Sequence, residues 1–179
     1  MYGWLDVLVR IVMMYLPAMV ANAMPLITRR YIFRNSHPID FGRTFIDGRR
    51  VFGDNKSLEG FASGVVAGSL VGLAYSYYFS APVWLMYGIV SGLGAMCGDL
   101  LNSFVKRRLG LAPGQPFIPL DQISFFLAAF IAVKASRADL LVGRELGVVD
   151  FAVGLALAGL LHPLTNYLAY LLGVKESPL

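Results

Sequence analysis

Apolar residues run along this chain in five long stretches, and polar residues collect between them. A membrane-crossing helix needs about 20 predominantly apolar residues. The first stretch runs from about Trp4 to Ile27 and is expected to end near Pro25. The second runs from Leu58 to Phe79 and the third from Pro82 to Val105. A fourth starts near Gln122 and is purely apolar only to Val133; it reaches spanning length if Lys134, Arg137 and Asp139 snorkel or face the protein interior. The fifth runs from Asp150 to about Gly173. Two segments break the pattern at length, Thr28 to Ser57 and Lys106 to Asp121, and five spans put both on one side. The expected fold is all-α: one polytopic membrane domain over residues 1–179, with five transmembrane helices and two loops that form the site.

Glycines add to this picture. Gly64, Gly68 and Gly72 recur at every fourth position of the second stretch, and Gly88 with Gly92, and Gly94 with Gly98, do so in the third. Small residues at this spacing let helix backbones approach closely, so the second and third helices are expected to touch.

Composition agrees with the membrane reading. The 179 residues are 57% hydrophobic and only 15% charged, with a mean hydropathy of +0.64, whereas a soluble domain carries roughly a quarter charged residues. The one cysteine, Cys97, excludes an internal disulfide framework and reads as a small packing residue. The first segment lacks the basic start and small-residue cleavage site of a signal peptide and reads as mature sequence. Charge placement gives an orientation. Eleven of the fifteen basic residues lie in the two polar loops or follow the last stretch, counting Arg34, Arg43 and Lys175. The positive-inside rule then places both loops and the carboxy terminus in the cytoplasm and the amino terminus outside. Asp6 and Arg10, four apart, read as a mutually neutralising pair.

The end of the third stretch, CGDLLNSFVKRRLG, carries the chemistry. Asp99, Asn102, Ser103 and Lys106 stand at i, i+3, i+4 and i+7, so they share one helix face that apolar residues normally fill. An ionisable group at that depth is a candidate functional site. One reading pairs Asp99 with a base such as Lys106. The other makes it a hard-metal ligand beside Ser103, Lys106 and Arg107, a set suited to a nucleoside triphosphate. Asp121 ends the Pro/Gly-rich connection GLAPGQPFIPLDQ, where it caps the next helix or joins Asp99 in holding one or two Mg²⁺ ions. The loop segment FIDGRRVFGDNKSLEG places glycines next to Asn55, Lys56 and Ser57. It reads either as a phosphate cradle at a helix start or as a basic loop drawn to anionic lipid. Asp47 and Asp54 receive no role. His162, Asn166 and Asn22 read as interhelical hydrogen-bonding groups or as contacts to a lipid headgroup.

GDLLNSFVKRRLG followed by IPLDQ resembles the carboxy-terminal signature of the CTP-dependent phosphatidate cytidylyltransferases. With FIDGRRVFGDNKSLEG upstream, the chain is most similar to their short archaeal branch, the CDP-archaeol synthases. The resemblance implies transfer of CMP from CTP to 2,3-bis-O-geranylgeranylglycerol 1-phosphate, with CDP-archaeol and diphosphate as products. It implies Asp99 and Asp121 as metal-binding carboxylates, with Ser103, Lys106 and Arg107 at the nucleotide phosphates. Lys106 is also the expected catalytic cation. Asn55, Lys56 and Asn102 are further candidates for the CTP phosphates, and Arg49, Arg50 and Arg108 for the lipid phosphate. The Lys-Asp and His-Gly-Gly elements of the bacterial enzymes are replaced here by GLAPGQPFIP. No nucleic-acid partner is expected, and the oligomeric state is not legible. Three alternatives stand beside this reading: a transporter or scramblase with an anion-binding vestibule, a glycerol-phosphate acyltransferase, and a CDP-alcohol phosphotransferase. The last lacks its D-x₂-D-G…G-x₃-D-x₃-D arrangement in this chain.

Overall fold

The computed structural model describes residues 3–33, 35–171 and 173, except the side chains of His162 and Ala169. Arg34, Lys175 and the His162 side chain, named above, lie outside the described residues. Among the described residues six helices follow one another: α1 Trp4–Tyr31, α2 Leu58–Tyr78, α3 Val83–Arg108, α4 Leu120–Ala135, α5 Ala138–Leu141 and α6 Val148–Leu171. No strand forms among the described residues; two isolated bridges, Pro38 to Ser57 and Thr44 to Arg50, brace the α1–α2 loop. Four helices among the described residues (α1, α2, α3 and α6) are long and apolar enough to cross a membrane. The chain is a multi-pass helical membrane protein.

Two boundaries differ from the sequence expectation. The first helix does not stop near Pro25 but continues to Tyr31 with Pro17 and Pro25 inside it. A proline leaves the carbonyl four residues earlier without its helical donor. The carbonyl freed by Pro17 is that of Met13, and it accepts the Tyr75 hydroxyl of α2 at 3.1 Å. Tyr87 of α3 donates to the next carbonyl, Met14, at 2.8 Å. Neighbouring helices thus satisfy the broken ladder, which is how prolines persist within membrane helices. The fourth helix does not extend through Arg137 and Asp139. It ends at Ala135 after 16 residues, about 24 Å at 1.5 Å per residue. Arg137 has φ +55°, a left-handed conformation that breaks the helix. Lys134 turns to Asp139 at 2.9 Å, and the Leu146 amide donates to the same carboxylate oxygen.

The glycine pattern fixes the packing. A Cβ on Gly88 would lie 2.6 Å from both the Gly68 carbonyl oxygen and the Gly72 Cα, so α2 and α3 meet backbone to backbone. Gly94 and Gly98 serve a different neighbour, α4, where a Cβ would lie 2.7 Å from the Ala129 Cα and 2.4 Å from the Ser124 carbonyl. α3 is therefore gripped from two sides by small-residue contacts. Its polar stripe is held at a fixed height and rotation. The core beside it is aromatic and aliphatic, with Ile11, Met14, Tyr15, Tyr87, Phe126 and Val133 all but fully buried.

Two smaller expectations are corrected. Cys97 is exposed rather than packed. Arg10 pairs with Asp150 across the bundle, not with Asp6, because α6 brings the deeper carboxylate within reach. Asp6 instead accepts the Gly3 amide.

Candidate functional site

The stripe does converge on a cavity. Asp99, Asn102, Ser103, Lys106 and Arg107 of α3 line a space of about 240 Å³ at the loop end of the bundle. Phe52, Asn55 and Lys56 of the first loop close one wall, and Pro113, Gly114, Pro116 and Asp121 another. Asn166 of α6 completes the lining, so it faces the cavity rather than a neighbouring helix. The half-buried Asn22 of α1 makes no side-chain hydrogen bond among the described residues and does not line this cavity.

Two ion pairs face each other in this space. Lys56 Nζ reaches both Asp99 carboxylate oxygens, at 2.7 and 2.6 Å. Lys106 Nζ reaches both oxygens of Asp121 at 3.0 Å. Asp99 therefore pairs with a lysine 43 residues away and not with Lys106. Asp121 does not cap α4. It lies in the helix's first turn and accepts from the Asn102 side chain at 2.6 Å and from the Phe117 amide at 2.8 Å. The Asn102 Oδ1 is buried without a partner, and so is Arg107 Nε. The site thus holds cations and carboxylates in near balance, with Arg107 in excess.

The first loop is built differently from the expected phosphate cradle. The amides of Phe52 and Gly53 are not free for a ligand: both donate to Asp40 Oδ2, at 2.9 and 3.0 Å. Asp40 is 5% exposed and also binds the Arg50 guanidinium and the Gly42 amide. Burial raises its pKa, but the Arg50 side chain and the Gly53, Phe52 and Gly42 amides outweigh that and hold the carboxyl well below the usual range. Asp40 is the hub that sequence reasoning missed. Gly53 follows with φ +92°, and a Cβ there would lie 3.2 Å from Arg107 Nη1. Ser57, not Asn55, caps α2 by accepting the Gly60 amide. Asn55 accepts from Arg29. The outcome is a loop that presents its Lys56 side chain, rather than its backbone, to the cavity.

Asp40→Asn should release this loop without unfolding the bundle. Hydrogen bonds to a charged group contribute roughly 1.5–3 kcal/mol each. Trypsin should cut at Arg43 and Arg49 faster in the variant while the helical circular dichroism is unchanged. A carboxyl held low in the folded state contributes stability above its unfolded pKa of about 3.9 and loses it as pH falls toward the folded value. Loop resistance to a protease in the wild-type chain should therefore persist at pH 5.

The arginines divide between two roles. Arg49 and Arg50 line a second cavity of about 380 Å³, which shares Arg107 and Pro113 with the first. Arg49 also donates to the carbonyls of Arg107 and Arg108 at the end of α3, and Arg50 binds Asp40 and Asp54. Arg108 lines neither cavity. It pairs with Asp47 at 3.0 Å and lies 4.9 and 4.8 Å from the Phe45 and Phe104 ring centroids. Asp47 and Asp54, without a role in the sequence, thus hold Arg108 of α3 and Arg50 of the loop.

A family model described as CarS-like CDP-archaeol synthase matches residues 4–179. The chain belongs to the CDP-archaeol synthase family. The CDP-archaeol synthase of Pyrobaculum aerophilum is 40% identical over 166 residues, covering 90% of this chain and 93% of that protein. That of Pyrobaculum calidifontis is 39% identical over 175 residues, with 96% and 98% covered. That of Saccharolobus solfataricus is 40% identical over 168 residues, with 93% of each covered. A solved structure of an intramembrane enzyme for archaeal membrane lipids biosynthesis superposes with a TM-score of 0.75 at 33% identity, covering 92% of this chain and 94% of that one. Membership of the CDP-archaeol synthase family agrees with the length and the helical architecture.

Proposed function

We propose that this chain transfers CMP from CTP to 2,3-bis-O-geranylgeranylglycerol 1-phosphate, releasing diphosphate and forming CDP-archaeol. The observation that carries the reading is the cavity itself: two lysine–aspartate pairs and Arg107 facing one space where the membrane helices meet their loops. A nucleotide arrives from water and a prenylated phosphate from lipid, so the site must touch both. Each carboxylate here is held by a lysine. A triphosphate draws Lys56 and Lys106 to its oxygens and leaves Asp99 and Asp121 open to a divalent cation.

The donor set suits Mg²⁺, which takes hard oxygens from one or two carboxylates, substrate phosphates and water. Asp99 and Asp121 would hold it, and when bound it would offset the phosphate charge of both substrates. No cluster of three or more His, Cys, Asp or Glu is present among the described residues, so a dedicated all-protein cage is absent there. Lys106, Lys56, Arg107 and Ser103 bind and orient the triphosphate, with Asn55 and Asn102 beside them. Arg49 and Arg50 lie in the adjoining cavity, placed for the lipid phosphate. A lipid phosphate oxygen then attacks the α-phosphorus of CTP in line, the bond to the β-phosphate oxygen breaks, and diphosphate leaves. The attacking monoester has a second pKa near 6 and is largely dianionic at neutral pH, so no general base is needed. Cations positioned along the triphosphate stabilise the departing charge.

The reading includes five membrane crossings, with α4 as a short one, both loops in the cytoplasm and a single catalytic domain over the whole chain. Gln115 and Arg144 are both exposed, one in the second loop and one beyond α5. Cysteines placed there should label from opposite sides of the membrane; labelling of both from the cytoplasm would remove this topology.

Label from the α-phosphate of CTP should pass into the prenylated lipid, and label from the γ-phosphate should not. Transfer of neither label with folded protein, Mg²⁺ and acceptor lipid present would overturn the assignment. Lys106→Ala and Lys56→Ala should weaken CTP binding far more than CMP binding. A lost charge-assisted hydrogen bond costs roughly 1.5–3 kcal/mol. Isothermal titration with both nucleotides separates this from a general collapse of the site, which would weaken both equally.

A further inference from the structure

The first loop has one feature that the cavity does not use. Residues Arg43 to Val51 fold as a short hairpin: Phe45 N–H donates to the Arg49 carbonyl, Val51 N–H to the Arg43 carbonyl, and Thr44 bridges Arg50. Its turn, Phe45 to Gly48, carries Ile46, which is 93% exposed. A large apolar residue so open at the tip of a charged loop is costly in water.

The position of the turn is fixed by α3. Helical residues advance about 100° each, which puts Phe104 near the side of α3 opposite Asp99, Asn102 and Lys106. Cys97 and Leu101 share that side and are exposed, Leu101 by 61%. This is the bundle's outer surface, which in a multi-pass membrane protein meets lipid. The Phe45 ring packs edge-on against Phe104, 5.2 Å between centroids. Arg108 lies against both rings, pairs with Asp47 in the turn, and donates to the Arg49 and Arg50 carbonyls. Arg49 returns a bond to the Arg108 carbonyl. The hairpin therefore crosses the end of α3 and descends on its lipid side. It is clamped there one helical turn inside the terminal arginines.

We infer that the Phe45–Gly48 turn is an interfacial membrane anchor, with Ile46 seated at the boundary between headgroups and acyl chains. The occupant is the bilayer, because the turn rests through Phe45 on half-buried Phe104, on the side of α3 where Leu101 and Val105 are exposed. The one charged side chain of the turn, Asp47, finds partners on the protein in Arg108 and in the Arg49 amide. The side chain left at the tip is therefore apolar and uncharged, as an interfacial seat requires, and water and headgroups at that level can meet the turn's backbone. The hairpin leads through Val51 and Phe52 into Asn55 and Lys56. Seating Ile46 in the interface thus sets the height of the loop that supplies Lys56 to the cavity.

Spin labels test this directly. With Cys97→Ala as background, single cysteines replace Ile46, Leu101 as a lipid reference and Gln115 as a water reference, in vesicles. At position 46, collisions with oxygen should exceed those with a water-soluble nickel chelate, in a ratio close to that at Leu101. A ratio matching Gln115 would overturn the anchor. So would low access to both reagents with spin–spin broadening, which would mean that a second copy of the chain covers the tip. Ile46 is too exposed for its replacement to unfold the bundle. Helical circular dichroism of each labelled variant confirms this before the ratios are compared.

Discussion

Asparagine in place of Asp99 or of Asp121 is expected to lower turnover by roughly 10²- to 10³-fold, the scale of removing one electrostatic element of a reacting site. The loss should fall on turnover and much less on CTP affinity. Asp99→Asn removes a negative charge and leaves Lys56, bonded at 2.6 Å in the resting site, free for a phosphate. Asp121→Asn does the same for Lys106. The double variant should lose far less than the product of the two single losses, because both carboxylates serve one cation-binding site. Steady-state kinetics with CTP varied at saturating Mg²⁺ and lipid measures this. Full multiplicative loss would mean that the two carboxylates act separately. Unchanged helical circular dichroism and elution in detergent would show that the variants fold.

Gly88→Leu should be the most damaging single change to the fold. A Cβ at Gly88 meets backbone atoms of Gly68 and Gly72 at 2.6 Å, and backbone cannot retreat as a side chain can. The helices must part, and the contact that sets the rotation of α3 is lost. We expect destabilisation beyond about 4 kcal/mol, the severe end of single substitutions. The Lys56–Asp99 pairing should fail with it, since Lys56 reaches Asp99 from the loop that leads into α2. Gly159→Leu provides the control: nothing lies within 4 Å of its Cβ position. Thermal unfolding in detergent should separate the two clearly. Equal melting temperatures would contradict the packing.

Much of the site could be read from the sequence because its core lies on one helix. Asp99, Asn102, Ser103 and Lys106 are related by helical spacing alone, and the structure puts all four in the cavity. The repeating glycines likewise announced the α2–α3 contact. Partnerships across large sequence separations were not legible. Lys56 with Asp99 and Arg10 with Asp150 depend on how helices are arranged, which no local spacing records. Asp40 was missed for a related reason. It is one of three acids in a basic loop, and three of its five hydrogen bonds come from backbone amides, which carry no residue signature. A signal did exist: an acidic residue followed by Phe-Gly, ten positions before an arginine and near a second glycine. The fourth helix was overextended because Lys134 and Asp139 could be imagined snorkelling. The left-handed Arg137 between them turns the chain instead.

The most direct test of the account is diphosphate release from CTP with the lipid acceptor present or withheld, in one preparation with Mg²⁺. Direct attack by the lipid phosphate predicts one diphosphate for each CDP-lipid formed and none without the acceptor. Diphosphate released at the same rate without acceptor, or acceptor consumed without diphosphate, would contradict it.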